Sequence, residues 1–446
     1  MTSLAGAGPF AGQSIAELAG RLRNGGTTAR TLAESALAAA TEFGPALNCY
    51  VTVDNDGALR AAERADRELA DGHDRGPLHG IPVAVKDLID TEGLRTTRGS
   101  WHFGYHVPKA DAAVVTALRT AGAVIVGKTH THQFAYGPTG DVAHNGPARN
   151  PYDQTRMTGG SSSGSAAAVA AGLVPAALGT DTGGSVRIPA ALCGIVGLRP
   201  TQGTLPGTGV FPLSASLDSV GPMAATVADT ALLFDALTGH RTPAASITGL
   251  RVGVVRSDET EQIVPAQAEA LERALAALRS AGFVINETWI SDLADHNMLY
   301  RNIQGPEARA VHADRVANAP EGFEPEILVR LAQAAEVPGW EYISAMRERA
   351  QERDYFPQRV DMDLLVLPTV PIEAPPIGAR DIDLGADYTN PVTALLALNA
   401  PWSVLGVPAI SVPVPGAGLP GSVQLVGRAG GDAHVLAAAA TLAAHL

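Results

Sequence analysis

The stretch from residue 157 to residue 189 constrains this chain more than any other feature. It is MTGGSSSGSAAAVAAGLVPAALGTDTGGSVRIP, with glycine and hydroxyl residues at both ends and small apolar residues between them. Only glycine lets main-chain amides approach a ligand without a Cβ in the way, so both ends must lie close to something. No histidine adjoins these serines, and a serine becomes a good nucleophile only when a base takes its proton. The base must therefore come from another part of the chain.

Lys86 is the candidate base. It ends an apolar segment, GIPVAVK, which predicts a buried strand over about residues 80–89. An amine acts as a base only when it is neutral, and the ordinary pKa of a lysine is about 10.4. Burial against apolar neighbours disfavours the charged form and lowers that pKa by several units. We therefore expect a buried, neutral Lys86.

Several blocks of sequence resemble one known family. They are GIPVAVKD at 80–87, GGSSSGSAAAVAAG at 159–172, GTDTGGSVRIPAALCGIVGLRPT at 179–201, SLDSVGPMA at 216–224, and the later VPAISVPVP and GSVQLVGR. On these blocks the chain resembles the amidase signature family of amidohydrolases. The resemblance extends from about residue 15 to the C-terminus and is weakest between roughly 290 and 390.

The resemblance implies a fold and a catalytic triad. The implied fold is α/β, with one large mixed β-sheet sandwiched between layers of α-helices. The implied triad is Lys86, Ser161 and Ser185, with the two serines 24 positions apart as in the family. In the family a cis peptide bond precedes the residue that matches Ser161. Ser163 departs from the pattern, which usually has glycine there, so the resemblance does not predict the local conformation of the loop.

These residues suggest a serine acyl-enzyme mechanism. Neutral Lys86 takes a proton through Ser161, which deprotonates Ser185, and Ser185 attacks the carbonyl carbon. The oxyanion that forms needs N–H groups aimed at it. Four consecutive amides on a glycine-bearing turn are the predicted oxyanion hole: Thr182, Gly183, Gly184 and Ser185.

The substrate site is predicted in two loops. By resemblance, residues 133–137 and 207–211 face the nucleophile, with candidate contacts at Gln133, Phe134, Tyr136, Gly137, Gly209 and Phe211. Neither loop contains Arg, Lys, Asp or Glu, and an unpaired charge in a desolvated cleft is costly. We therefore expect a neutral, partly apolar amide, or a carbamate, urethane or ester, with water as acceptor and no cofactor or metal. Arg301, Arg309 or Arg330 would overturn this by reaching into the cleft.

Bulk properties set the remaining expectations. The chain has 446 residues, is 46% hydrophobic and carries a net charge of −13. Nucleic-acid surfaces need clustered Lys and Arg, so we expect a small-molecule substrate and no nucleic acid. Two cysteines make no disulfide framework, and no signal peptide or membrane-length apolar run is evident. We expect a cytoplasmic monomer or homodimer.

Organisation along the chain favours one domain over residues 1–446. Two helices are predicted within 14–43, further helices at 55–71, 111–121, 162–171 and 226–237, and a strand at 123–126. Strand, helix and strand then alternate at 250–255, 265–280 and 283–289, which favours a sheet covered by helices. Residues 291–350 are predicted to form a variable helical cap, and 371–390 a loop.

Other functions remain open. A glutaminase of the A type, which serves a tRNA-dependent amidotransferase, shares the family blocks. The segment GAVIVGKT at 122–129 matches the P-loop of nucleotide hydrolases, although its middle residues predict a strand. The segment GSSSG at 160–164 matches the nucleophile elbow of esterases, but a turn-prone segment precedes it. His130 and His132 could bind a metal, as in metal-dependent amidohydrolases, yet no second ligand cluster accompanies them. A catalytically inactive binding protein is the remaining alternative.

Overall fold

The structure, a computed structural model, describes residues 2–446. In that part of the chain all eleven strands belong to a single sheet. Their bounds are β1 Tyr50–Val53, β2 Pro82–Lys86, β3 Val124–Thr129, β4 Ala176–Asp181, β5 Val196–Arg199, β6 Ser219–Ala224, β7 Arg251–Arg256, β8 Val284–Trp289, β9 Leu364–Pro368, β10 Ala409–Val414 and β11 Gly421–Gly427.

Sixteen α-helices accompany the sheet within residues 2–446. Their bounds are α1 Ile15–Arg23, α2 Ala29–Leu47, α3 Asn55–Ala70, α4 Ala113–Thr120, α5 Ser163–Ala170, α6 Arg187–Leu192, α7 Val227–Thr238, α8 Asp258–Glu261, α9 Pro265–Ser280, α10 Leu293–Val311, α11 Ala313–Asn318, α12 Pro325–Ala335, α13 Gly339–Arg359, α14 Pro391–Ala397, α15 Ala400–Leu405 and α16 Asp432–His445.

The sheet is mixed. Its strand order is β1-β3-β2-β4-β6-β5-β10-β11-β9-β7-β8. Strands β3, β2 and β4 are parallel neighbours, and so are β9, β7 and β8, whereas every other neighbouring pair is antiparallel. The predicted α/β class and large mixed sheet are confirmed.

The parallel pair β2–β4 positions the candidate site. Strand β2 ends at Lys86 and β4 ends at Asp181, and Val85 lies opposite Leu178 in their register. Both strands are completely buried, which explains why their residues are an apolar run rather than an alternation. Because neighbouring parallel strands end at one edge of the sheet, Lys86 and the turn after Asp181 meet there.

Local sequence signals account for many of the element boundaries. The N-cap of α1 is Ser14, whose side chain and that of Glu17 form a capping box. Thr28 caps α2 after the break at Gly25, and its side chain accepts from Thr31 N–H. The helices and strands predicted up to residue 289 all occur within a few residues of their expected bounds.

The segment predicted as a helical cap contains α10, α11, α12 and most of α13. Helix α10 packs on α12, α13 and α15. Two small apolar clusters join these helices to the sheet edge, one around Phe134 and Ile327, the other around Leu217 and Tyr300. The cap therefore covers the edge at which Lys86 lies. None of the helices within residues 2–446 is long and apolar enough to cross a membrane.

Candidate active site

Lys86 is buried completely at the end of β2. Its Nζ donates to Ser161 Oγ and to Thr180 Oγ1, each at 2.7 Å. Burial lowers the pKa of Lys86 to about 7, although the carboxylates of Asp181 and Asp218 act in the opposite direction. An amine with this pKa is substantially neutral at neutral pH, which is the form that accepts a proton.

Ser161 lies in the loop between Met157 and α5. The peptide bond between Gly160 and Ser161 is cis, as the family resemblance implies. The loop is held on both sides of that bond, because Gly160 N–H donates to Pro138 O at 2.6 Å and His132 N–H donates to Ser161 O at 3.1 Å. These main-chain contacts direct the Ser161 hydroxyl towards Lys86.

The other serines of the loop bond within the structure. Ser162 Oγ contacts the main chain of Thr180 at 3.2 Å, and Ser165 Oγ donates to Leu178 O at 2.9 Å. Ser163, which stands where the family usually has glycine, pairs its hydroxyl with His130 Nδ1 at 2.8 Å. The departure from the family pattern is thus accommodated by a neighbouring polar side chain.

Ser185 lies in the turn between β4 and α6. Ser162 N–H donates to Ser185 O at 3.2 Å, so the two glycine-bearing loops are joined through the main chain. Ser185 Oγ has no hydrogen-bond partner in the described part of the chain, and in particular it forms none with Ser161. Catalytic hydrogen bonds are often long in unliganded enzymes and tighten only with substrate. Lys86 Nζ is therefore hydrogen-bonded to Ser161 Oγ, and Ser185 Oγ is available to contact a substrate.

Asp181 holds the turn that carries Ser185. Its carboxylate accepts from Gly184 N–H at 2.8 Å and Val186 N–H at 3.2 Å. Arg187 contributes two further bonds at 3.1 Å, and Arg199 another at 3.2 Å. All three charged side chains are completely buried. Although burial opposes ionisation, the two guanidiniums keep the pKa of Asp181 below its ordinary value, so the turn is anchored on a permanent negative charge.

The predicted oxyanion hole has fewer available N–H donors than the sequence indicates. The Gly184 N–H already donates to Asp181 and so points into the anchor rather than towards a substrate. The N–H groups of Thr182, Gly183 and Ser185 make no hydrogen bond to the rest of residues 2–446. Three of the four predicted amides are thus available to an oxyanion, and Gly184 is corrected from donor to anchoring residue.

One cavity is lined by the turn, and a second lies beyond Tyr300. A chamber of about 300 Å³ is lined by Thr180 and Thr182 on one wall and by Leu88, Leu205 and Phe211 on another. An open cleft of about 710 Å³ lies under the cap and is lined by Tyr136 and Tyr300. A larger cavity of about 880 Å³ lies between α4 and α7, away from the turn, and none of the three cavities is lined by Lys86, Ser161 or Ser185.

Tyr300 connects the open cleft with the turn. A Cβ added at Gly183 would lie 2.6 Å from Tyr300 Oη, which shows how closely the ring approaches the main chain there. The cleft also contains three guanidiniums, from Arg301, Arg330 and Arg380, against one carboxylate from Glu326. The expectation of a cleft without charged residues is therefore wrong.

Of the six residues predicted to contact the substrate, two line the chamber or the cleft and four do not. Tyr136 lines the open cleft and Phe211 lines the chamber. Gln133 is completely buried, where its side chain accepts from Glu324 N–H at 2.8 Å and donates to Gly322 O at 3.2 Å. Phe134 is also completely buried, 4.3 Å between ring centroids from His312. We correct both from substrate contacts to residues that hold the cap.

The two predicted glycines serve close packing. A Cβ at Gly137 would lie 2.3 Å from His132 Nε2, and one at Gly209 would lie 2.5 Å from Ala112 Cα. Neither glycine lines the chamber or the cleft. The prediction of substrate contacts at these two positions is corrected accordingly, because their missing side chains make room for protein rather than for a ligand.

The alternative motifs take on structural roles. Residues 124–129 of the P-loop-like segment are strand β3, so its amides pair with neighbouring strands rather than cradle a phosphate. His130 uses both ring nitrogens, towards Ser163 Oγ and Gly146 O, each at 2.8 Å. In residues 2–446 the cluster with metal-ligand spacing is Asp292, His296 and Glu352, and Arg359 already pairs with both carboxylates.

Sequence reasoning missed several residues of the site: Thr180, Asp181, Arg187, Arg199 and Asp218. All five lie within the blocks that carry the family resemblance, and three of them, Arg187, Arg199 and Asp218, are charged residues beside an apolar neighbour. A charged residue in an otherwise apolar segment is a signal of a buried ion pair. That signal does not tell which charges meet, because Asp181 and Arg199 come from different strands.

The family model described as Amidase matches residues 31–436. The chain belongs to the amidase family. The predicted family is therefore confirmed, and the chain is an enzyme that acts on carbon–nitrogen bonds.

Relatives of known structure have the same fold. A protein described as an amidase superimposes with a TM-score of 0.91 at 35% identity, covering 97% of this chain and 100% of its own. A 6-aminohexanoate cyclic dimer hydrolase, solved with its substrate, superimposes with a TM-score of 0.85 at 28% identity, covering 97% of each chain. The fold therefore accommodates amidases with different substrates.

Relatives in sequence bear a more specific name. The A subunit of the glutamyl-tRNA(Gln) amidotransferase of Chloroflexus aurantiacus is 38% identical over 456 residues, 93% of each chain. The protein of the same name from Roseiflexus sp. is 37% identical over 451 residues, 92% of this chain and 91% of its own. These names describe one component of an assembly and a reaction that involves tRNA. The expectation of a self-sufficient monomer or homodimer with no link to nucleic acid is contradicted by these relatives.

Proposed function

We propose that this amidase-family enzyme is the glutaminase component of a tRNA-dependent amidotransferase, with glutamine as amide donor. The observation that carries the proposal is the guanidinium group of Arg301 in the cleft that Tyr300 joins to residues 182–185, the oxyanion turn. Arg301 forms no salt bridge in the described part of the chain, whereas Arg330 and Arg380 share Glu326 and Arg380 also pairs with Asp141. A cleft with this charge suits an amide that carries a carboxylate, and pairing a charge there offsets its desolvation.

The names of the sequence relatives support the same substrate. Glutamine combines a primary amide, which the Ser185 turn can attack, with a carboxylate that the cleft arginines can pair. Its release of ammonia is the step that an amidotransferase needs. We therefore place the chain in an assembly with partner subunits and a tRNA-linked acceptor, and since that acceptor is a tRNA, in the cytoplasm.

The reaction begins at Lys86. Neutral Lys86 takes the Ser161 hydroxyl proton as Ser161 takes that of Ser185, and Ser185 Oγ forms a bond to the amide carbon. The N–H groups of Thr182, Gly183 and Ser185 donate to the oxyanion, which is the largest electrostatic contribution in reactions of this kind. The proton returns to the departing nitrogen, and ammonia leaves as the C–N bond breaks. Water then hydrolyses the ester on Ser185 and releases glutamate.

We infer that one domain carries this site. The cap of about residues 291–350 supplies Tyr300, Arg301 and Arg330 to the cleft, whereas the sheet edge supplies the triad. A unit that lost the cap would lose the carboxylate-pairing wall and keep the nucleophile. The variable cap would then be the part of the domain that determines which amide is accepted.

The test compares two matched amides. Glutamine and butyramide share the terminal amide, and only glutamine carries charged groups. We expect kcat/KM for glutamine to exceed that for butyramide by tenfold or more, equivalent to about 1.4 kcal/mol. Arg301→Ala should reduce this ratio, while Arg309→Ala, which removes a cap arginine that does not line the cleft, is the matched control. Equal kcat/KM values for the two amides would contradict the proposal.

A second candidate function is hydrolysis of a small amide, carbamate or ester directly to water. The apolar residues of the 300 Å³ chamber favour it, because Leu88, Leu205 and Phe211 suit an apolar substituent of the substrate. Mixing the chain with the other amidotransferase components and glutamyl-tRNA separates the two candidates. Stimulated glutamine hydrolysis and amidated tRNA support the first, and turnover of aryl amides with no stimulation supports the second.

A further inference from the structure

Asp218 is a half-buried carboxylate with contacts to both sides of the chamber. Its Oδ1 accepts from Thr182 Oγ1 at 2.5 Å. Its Oδ2 accepts from Leu213 N–H at 2.9 Å and from Ser214 N–H at 3.1 Å. One carboxylate thus ties the oxyanion turn to the loop that follows Phe211, and it lines the chamber together with Thr180.

Thr180 brings Lys86 to the same chamber. Its hydroxyl accepts from Lys86 Nζ at 2.7 Å, and its side chain lines the chamber wall beside Thr182. Lys86 itself is completely buried, so a carboxylate near it is poorly screened by solvent. A negative charge in this position favours the ammonium form of Lys86.

We propose that Asp218 is a positioning residue of the active site, whose carboxylate fixes the oxyanion turn and whose charge sets the pH above which Lys86 acts as a base. The inference rests on the proposed triad. It assigns to Asp218 two effects, one on the geometry of Thr182 and one on the charge of Lys86, and the two effects are separable by experiment.

Other charged groups face Asp218 from the neighbouring elements. Lys86 acts on it from the end of β2 and Arg199 from β5, while Asp181, at the end of β4, acts on Lys86 as Asp218 does. Tyr300 approaches from α10 with its phenol. Asp181 and Arg199 pair with each other and keep their charges, which leaves Lys86 and Asp218 as the pair that titrates near neutral pH.

The pKa values of this pair are close together. Burial raises the pKa of Asp218 to about 6, and burial lowers that of Lys86 to about 7. Full activity requires Lys86 neutral and Asp218 ionised, so two protons must leave as the pH rises. The acid limb of the pH profile then reports both groups.

The experiment measures how fast a fluorophosphonate labels Ser185 between pH 5 and pH 9, so that no substrate needs to be known. In the wild-type enzyme the logarithm of the labelling rate should rise with a slope approaching two below about pH 6. Asp218→Asn removes the charge that stabilises the ammonium, so the midpoint should move to lower pH by about half a unit or more. Its slope should fall to one.

The matched control is Glu307→Gln. Glu307 accepts from Ser214 Oγ at 2.6 Å and Ser216 N–H at 3.1 Å, so it holds the same loop from the cap. Its charge is not among those that shift the pKa of Lys86. This variant should keep the wild-type midpoint and slope, and a midpoint that moves as far as in Asp218→Asn would mean that loosening the loop alone causes the shift, which overturns the inference.

Each of the remaining outcomes would overturn the inference. Asp218→Asn with an unchanged midpoint overturns the inference and leaves the triad intact. A wild-type slope of one, which can be measured even if Asp218→Asn does not fold, overturns it as well. Failure of the reagent to label wild-type Ser185 at any pH overturns the proposed triad, and the role of Asp218 with it.

Discussion

Lysine is rare in this chain, and its positions carry information. The sequence contains three lysines and 29 arginines, and two of the three lysines, Lys86 and Lys128, are completely buried. An arginine stays charged under all physiological conditions and cannot serve as a base, whereas a buried lysine changes its pKa readily. The chain thus keeps a lysine where the chemistry requires a group that can become neutral.

Replacing Lys86 tests this argument directly. Lys86→Met should abolish labelling of Ser185 and turnover, because Lys86 is the base that contacts Ser161 Oγ. Lys86→Arg should be equally inactive, since a guanidinium remains protonated. In the wild-type enzyme the rate should increase through about pH 7, the pKa of Lys86, because protonation below that pH removes the base. A pH-rate profile and labelling assays measure these effects.

Lys128→Met is the matched control for that prediction. Burial lowers the pKa of Lys128 to about 8, and its Nζ donates to Ile89 O and, at 2.9 Å, to Thr91 Oγ1 rather than to a serine of the site. This variant should lose stability, because two buried acceptors lose their donor. It should still become labelled at Ser185. Retained activity in Lys86→Met would contradict the assignment of the base.

At the scale of elements, the turn after β4 is the most constrained segment. Asp181, Arg187 and Arg199 anchor it from three elements, and Tyr300 packs on Gly183 from the cap. Buried charges of this kind are stable only when every one is paired. The turn is therefore rigid, as a set of oxyanion donors has to be.

Gly183→Ala should disrupt catalysis through the cap. The new Cβ would lie 2.6 Å from Tyr300 Oη, so either the turn or the ring must move. A shift of about 1 Å in the turn lowers kcat by about 100-fold. The double variant Gly183→Ala with Tyr300→Ala should recover part of that loss, because it removes the contact. Gly20→Ala, where a Cβ meets nothing within 4 Å, is the control for glycine replacement. Equal losses in the single and double variants would contradict this explanation, and steady-state kinetics measures them.

At the scale of the whole molecule, Arg380 links three separate regions. It lies in the loop predicted at 371–390, contacts Asp141 with two bonds of 3.0 Å, and contacts Glu326 of α12 at 2.7 Å. The Asp141 side chain is almost completely buried. The cap, the loop and the segment between β3 and α5 are thus joined by one guanidinium that lines the cleft.

Arg380→Ala should lower the free energy of unfolding by about 1–3 kcal/mol, because it leaves the Asp141 carboxylate with few partners. Arg359→Ala is the matched control. Arg359 also bridges two carboxylates, Asp292 and Glu352, but these groups are more exposed. Its loss should cost less than about 1 kcal/mol. Urea unfolding of the two variants measures the difference, and equal costs would contradict the linking role of Arg380.

The sequence alone predicted the family, the α/β class and most helices and strands, because these depend on local patterns. The apolar run before Lys86 predicted a buried strand, and helical patterns predicted the two helices within 14–43. It also predicted that Lys86 would be buried. Each of these inferences needs only neighbouring residues and the periodicity of the chain.

The tertiary structure decided what surrounds the site. Gln133 and Phe134 lie in a loop that the resemblance assigned to the substrate, yet the cap covers both. Arg301 and Arg330 come from helices far along the chain from Tyr136, and only folding brings them into one cleft with it, where the two predicted loops supplied no charged residue. Gly184 lost its predicted donor role because Asp181 accepts its N–H. Periodicity specifies which residues are buried, but which charges meet depends on contacts between elements distant in sequence.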